Sequence, residues 1–119
     1  MKRSMKPRSL RSSAGFEAFV LDQLTGLGDV TSKKMFGGVG IYCRGVFFAI
    51  IARDELYLKA DDHTRSRFES AGAKPFRPYP DRAGTMQYYS VPLEVLESAP
   101  ELEQWGRDAV AAASATIRP

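Results

Sequence analysis

The sequence has one cysteine, Cys43, and one histidine, His63, in 119 residues. A lone cysteine excludes an internal disulfide framework and fits a reducing cytoplasm. It also excludes a closed cysteine-based zinc site within one chain, because structural zinc takes four Cys or His ligands. No apolar run approaches the ~20 residues of a membrane-spanning helix. Acidic residues are absent from the first 13 positions, MKRSMKPRSLRSS, which hold Lys2, Arg3, Lys6, Arg8 and Arg11. Taking those five from the 17 bases leaves 12 against 14 acids, so the body carries about −2 and the formal +3 belongs to the tail. The tail lacks the apolar h-region of a secretory signal and the amphipathic stripe of a transit peptide. We read residues 1–13 as a flexible basic arm and residues 14–119 as a single domain. At this size a domain buries roughly 65% of its unfolded surface, enough for a core without covalent staples.

What is present is organised around Lys33 to Lys59, KKMFGGVGIYCRGVFFAIIARDELYLK. Val39, Ile41 and Cys43 alternate with Gly40, Tyr42 and Arg44, the period-two pattern of a half-buried strand. Arg44-Gly45 supplies a two-residue turn. Val46 to Ala52 is an unbroken apolar run, too short for a comfortable helix, and reads as a central strand covered on both faces. Arg53-Asp54 forms the next turn, and Leu56, Leu58 and Ala60 mark a third strand. Before this meander, Ser12 or Ser13 caps a helix with an apolar stripe of Phe16, Phe19, Val20 and Leu24, stopped by Gly26 and Gly28. After it, Asp61 or Asp62 caps a short helix to Ser70, with Phe68 and Ala71 inward and Gly72 as the stop.

Lys74-Pro-Phe-Arg-Pro-Tyr-Pro80 has three prolines and reads as an extended edge segment. Asp81 to Gly84 reads as a polar loop, and Met86 to Val91 as a strand paired with the proline-rich segment. Pro92 opens a short helix carrying Leu93 and Leu96. Ser98-Ala-Pro-Glu101 matches a capping box before a helix whose stripe is Leu102, Trp105, Gly106, Ala109, Val110 and Ala113. The order α-β-β-β-α-β-β-α-α predicts an α+β fold, a largely antiparallel sheet of about five strands flanked by helices.

Catalytic constellations are thin. Asp61, Asp62 and His63 form the only carboxylate-histidine cluster, and helix capping accounts for it. Cys43 falls on a buried face, where thiols are inert. Gly37-Gly38-Val39-Gly40 precedes a strand rather than a helix and lacks the spacing of a phosphate loop, so we read it as a bend or bulge. We assign no catalytic residue, no cofactor and no metal. Nucleic-acid binding would draw on the basic tail and on Tyr42 and Tyr57, with Lys33, Lys34, Lys59 and Arg44 nearby.

Lys34-Met-Phe-Gly-Gly-Val-Gly-Ile-Tyr42, Gly45, Phe48-Ala49 and Leu56-Tyr-Leu-Lys59 together resemble the N-terminal domain of the TfoX/Sxy competence regulators. The likeness runs on through Phe68, Gly72, Pro75-Phe76, Met86-Gln-Tyr-Tyr-Ser90, Pro92 and Trp105, about Phe16 to Ala113 in all. It implies a bacterial, cytoplasmic, regulatory protein with a secretion-chaperone-like fold that often dimerises. It also implies action beside a cyclic-AMP receptor protein at competence promoters. Full-length regulators of this kind carry a second, helical domain, for which the chain leaves no room before Pro119, so a stand-alone module is expected. The leading expectation is a non-enzymatic module working through protein contacts, on a surface of Lys33, Lys34, Met35, Phe36, Gly37, Gly38 and Tyr42. The alternatives are a nucleic-acid binder using the tail and sheet, and a small-ligand binder or enzyme around Asp61, Asp62 and His63.

Overall fold

The computed structural model describes residues 12–78 and 86–117. The elements are α1 (Ala14–Gln23), β1 (Val30–Met35), β2 (Gly38–Cys43), β3 (Val46–Ala52), β4 (Glu55–Lys59), α2 (Arg65–Ser70), β5 (Pro75–Phe76), β6 (Met86–Ser90), α3 (Leu93–Leu96) and α4 (Ala99–Ile117), with a 3-10 turn at Thr25–Leu27 after α1. The strands form one sheet in the order β1-β2-β3-β4-β6-β5. Every neighbouring pair is antiparallel. The basic residues Lys2, Arg3, Lys6, Arg8 and Arg11 and the loop Asp81 to Gly84 lie outside the described residues.

The meander has four strands, not three. The additional one, β1, is VTSKKM, whose middle four residues are exposed. With neither face covered, it carries no apolar alternation. The three hairpin turns share one geometry: Phe36-Gly37, Arg44-Gly45 and Arg53-Asp54 all have positive φ. Two positive-φ residues make a type I′ turn, whose twist matches that of the flanking strands. Arg53-Asp54 keeps this geometry without glycine and is clasped from outside. Ser13 N–H donates to Asp54 Oδ1 at 2.7 Å, and Asp54 N–H donates to Ser12 Oγ at 2.8 Å.

The alternation of β2 sorts the sheet into two faces. Val39, Ile41 and Cys43 point with Ile51, Leu56 and Leu58 into the larger core. This core is closed by Val20, Leu24, Leu27, Phe68, Leu102 and Ala109 from the helical layer. α4 crosses β3 and β4, and Gly106 lets it settle onto Leu27, whose Cδ1 lies 3.1 Å from where a Cβ would stand. On the opposite face Ile50, Ala52, Tyr57, Phe76 and Tyr88 form a second, aromatic cluster, flanked by Phe47. The Val46–Ala52 run is thus apolar because β3 serves both clusters. A register shift beside Ile41 and Tyr42 pairs Ala49 with the first and Phe47 with the second. Phe48 is therefore the bulged residue, and it joins Ala49 in the larger core.

Of the bend or bulge expected at Gly37 to Gly40, the bend is the turn at Gly37, while the bulge lies further on, at Phe48. Gly37 belongs to the turn, and Gly38 to Gly40 run as regular strand. Gly40 is small because Met35 Cε and Phe47 Cε1 lie 2.9 and 3.0 Å from a Cβ built there. Other corrections follow from helix phase. Phe19 is 40% exposed and Leu93 63%, while Val20 and Val95 are buried beside them. Ala71 is exposed after the end of α2. The helix α2 starts at Arg65 because Asp61 spends its carboxylate on a preceding turn.

Caps and a cation lock the helices in place. Ser13 Oγ accepts from Phe16 N–H at 3.1 Å at the start of α1. Glu101 N–H donates to Ser98 Oγ at 3.3 Å at the start of α4. Arg67 of α2 stacks its guanidinium 4.3 Å from the Trp105 ring centre and reaches Asp108 at 3.0 Å on α4. Phe68 sits beneath, edge-on to Trp105 at 5.0 Å and stacked on Tyr89 at 5.6 Å.

Candidate interaction surface

The β1–β2 hairpin gathers most of the residues singled out from sequence. Its turn holds Phe36 at φ 50 and Gly37 at φ 87. Left-handed backbone costs an L-residue roughly 1–2 kcal/mol, and glycine or asparagine is the usual occupant. Phe36 takes this conformation while 89% exposed, so packing within the chain does not compensate for it. Lys33 and Lys34 stand just before it, both exposed. Strand alternation sends them to opposite faces. Lys33 pairs with Gly40 and shares the aromatic face with Tyr42. Together with Thr31 and Ser32 these two line a shallow depression of about 240 Å³. Lys34 pairs with Val39 and lies on the helix side, where Ser32 Oγ donates to Glu17 Oε2 at 3.2 Å.

Tyr42 is half-buried, its ring 5.2 Å from Phe47, so it belongs to the sheet more than to the hairpin tip. Tyr57 and Tyr88 are only 8% and 6% exposed. Burial pushes the Tyr57 hydroxyl up to about 12, helped by the neighbouring Glu55 carboxylate, to which it donates at 3.2 Å. Burial likewise pushes Tyr88 up to about 12, with Tyr42 adding to it. Rings held this way cover apolar surface and leave little of their faces free for base stacking.

The Asp61-Asp62-His63 cluster is consumed locally. Asp61 Oδ1 accepts from His63 N–H and Thr64 N–H, both at 3.0 Å, and from Thr64 Oγ1 at 3.1 Å. Burial works to raise the Asp61 carboxyl, but these bonds outweigh it and hold the group below its ordinary value. Asp62 pairs with Arg65 at 3.0 Å, and His63 is exposed. Among the described residues no group of three or more His, Cys, Asp or Glu is placed to hold a metal ion. Cys43 is buried, with Arg44 Nη1 donating to its Sγ at 3.3 Å.

Sequence reasoning missed a second concavity of about 500 Å³ near β5, lined by Arg53, Glu55, Tyr57, Lys74, Pro75 and Arg77. Arg53 comes from the β3–β4 turn, while Lys74 and Arg77 flank β5, and only the Lys74-Pro-Phe-Arg77 run hinted at them. It also missed the open side of β1, which no single residue announces.

These features define a small α+β module with an open-edged sheet, a helical layer and an exposed aromatic at a hairpin tip. The TfoX N-terminal domain family model matches residues 22–113, and the chain belongs to that family. A curated relative is DNA transformation protein TfoX1 of Aliivibrio fischeri (strain ATCC 700601 / ES114), 29% identical over 75 residues. The match takes in 62% of this chain and 35% of the relative, so the chain spans about a third of that protein's length. Among the described residues no helix is long and apolar enough to cross a membrane.

Proposed function

We propose that the chain is a non-enzymatic, cytoplasmic regulatory module that acts on transcription through protein–protein contacts made by the β1–β2 hairpin. Membership of the TfoX N-terminal family supports this reading, as does the name of the relative, which ties it to DNA transformation. The observation that carries it is Phe36, a bulky apolar ring held in a strained turn and 89% exposed. A strained, unpacked aromatic contributes nothing to the fold that asparagine would not, so its return comes from outside the chain. Lys33 and Lys34 add charge beside it, the arrangement of an apolar anchor with a polar rim. The partner class implied by the family is a cyclic-AMP receptor protein or another component of the transcription machinery.

The test is interferometry of the intact chain against the purified cyclic-AMP receptor protein and RNA polymerase of the same bacterium. Phe36→Ser together with Lys33→Ala and Lys34→Ala is expected to weaken binding by about two orders of magnitude, the usual scale of losing a central anchor. Equal binding by parent and triple variant would remove the hairpin from consideration.

A further inference from the structure

We propose that the outer side of β1 is a strand-addition site for an extended acidic segment of a partner protein. This rests on the protein-contact reading above and specifies what the hairpin holds. The backbone phase of β1 is fixed by two independent observations. Arg44 N–H donates to the Asp29 carbonyl at 2.9 Å, one step before the Val30–Cys43 pair. At the other end Met35 and Gly38 flank a two-residue turn and so form a hydrogen-bonded pair. Bonded and non-bonded pairs alternate along an antiparallel ladder. Thr31, Lys33 and Met35 therefore bond to β2, and Val30, Ser32 and Lys34 turn their N–H and C=O groups outward. Among the described residues β1 has no other neighbour in the sheet. Three residues thus present alternating donors and acceptors along an exposed strand, with Phe36 at its end.

Charge selects the occupant. Lys33 and Lys34 flank the seam on its two faces, so an added strand meets a cation on either side. An acidic strand satisfies both. A second copy of β1 would bring two more lysines to the same seam, and edge lysines are a standard deterrent to such self-pairing. The same charge that repels a copy recruits an acidic segment. Strand addition of this kind draws affinity from main-chain bonds and selectivity from alternate side chains.

The probe is a fluorescein-labelled eight-residue peptide alternating glutamate with valine, compared with its lysine-for-glutamate copy. Binding to the intact chain is read by anisotropy and by amide hydrogen exchange. The acidic peptide is expected to bind at least about tenfold more tightly than the lysine copy, with exchange slowed at Val30, Ser32 and Lys34. Ser32→Pro deletes an outward N–H without touching the ladder to β2 and should cost about tenfold, one hydrogen bond's worth. Ser32→Ala keeps that N–H, loses only the bond to Glu17, and should bind like the parent. Lys33→Glu with Lys34→Glu, both solvent-exposed changes, should reverse the peptide preference. Equal binding of the two peptides, protection elsewhere than these amides, or a preference unchanged by charge reversal overturns the proposal. So does sedimentation showing a dimer that Ser32→Pro dissociates, since the edge is then taken by a second copy. Failure here is separable from failure of the wider reading. Receptor-protein binding lost with the Phe36 triple variant but kept in Ser32→Pro sinks strand addition alone. Binding untouched by the triple variant sinks the hairpin reading, while the peptide data still decide the edge.

Discussion

The two edges of the sheet are finished in different ways. At one end β5 is two residues long, opens on Pro75 and shifts register between Pro75 and Phe76. Its Phe76 is 3% exposed and packs 5.0 Å from the Tyr57 ring. Shortness, proline and irregular register are the usual devices for closing an edge to other chains. At the other end β1 runs six regular residues without proline, and only its lysines discourage a visitor. One edge is closed by geometry against every strand, and the other is screened by charge against some strands only. The difference teaches that openness at β1 is selective, since the means to close it are in use elsewhere on the same sheet.

The sharpest break in the comparison comes from truncation. Phe76→Ala is expected to cost about 3–5 kcal/mol in urea unfolding, while Lys34→Ala at the open edge stays within about 0.5 kcal/mol. A comparable loss at both would mean that β1 is as firmly built in as β5. Alkali sharpens the contrast next. Tyr57 and Tyr88, on the β4–β6 side, are raised in the fold above the unfolded value of 10.0 to about 12. A raised tyrosine favours the neutral form in the native state, so its stabilisation is complete below pH 10 and is lost between 10 and 12. The loss should be on the order of 2 kcal/mol per ring, and urea midpoints across that range, alongside tyrosinate absorbance, measure it. A midpoint flat to pH 12 would show rings that ionise freely.

Smaller effects probe β1 itself. Lys33→Pro removes a bond to β2, whereas Ser32→Pro removes only an outward donor, so the first should be less stable by about 1–3 kcal/mol. Equal melting of the two would show that the backbone phase is wrong. Smallest of all, Phe36→Asn should stabilise the chain by about 1 kcal/mol by relieving the left-handed strain, while binding of the receptor protein falls. Stability and binding rising together would deny the ring an outside role.

Much of this fold could be read from residues in which one face meets the core. Val39, Ile41 and Cys43 alternated and were found alternating; Val46–Ala52 was uniformly apolar because both faces of β3 are covered. The strand that escaped was β1, since Thr31 to Lys34 are exposed on both faces and hydrophobic period is the main signal a strand carries along its own length. Its existence lies in its pairing with β2. Phe19 and Leu93 were placed inward by spacing alone; Val20, read in the same stripe as Phe19, is buried, while on α3 Val95, two positions after Leu93, faces the core in its place. For the candidate surface, the resemblance marked Met35-Phe-Gly-Gly38, but the meaning of Phe36 needed the turn angle. The free donors at Val30, Ser32 and Lys34 needed a ladder phase that no string of letters contains.

Cys43 gives the chain an internal reporter. Its thiol is 2% exposed, its residue pairs with Val30 across the β1–β2 ladder, and the sequence holds no other. A thiol reagent in excess reaches it when the packing of Cys43 against Leu27 and the helical layer loosens, so the rate of labelling counts openings of the native state. The stoichiometry is a single event per molecule, and no engineered label is required. A molecule that settles along β1 and steadies its pairing with β2 is expected to slow that rate, which turns an ordinarily inert core residue into a readout of what the neighbouring strand is holding.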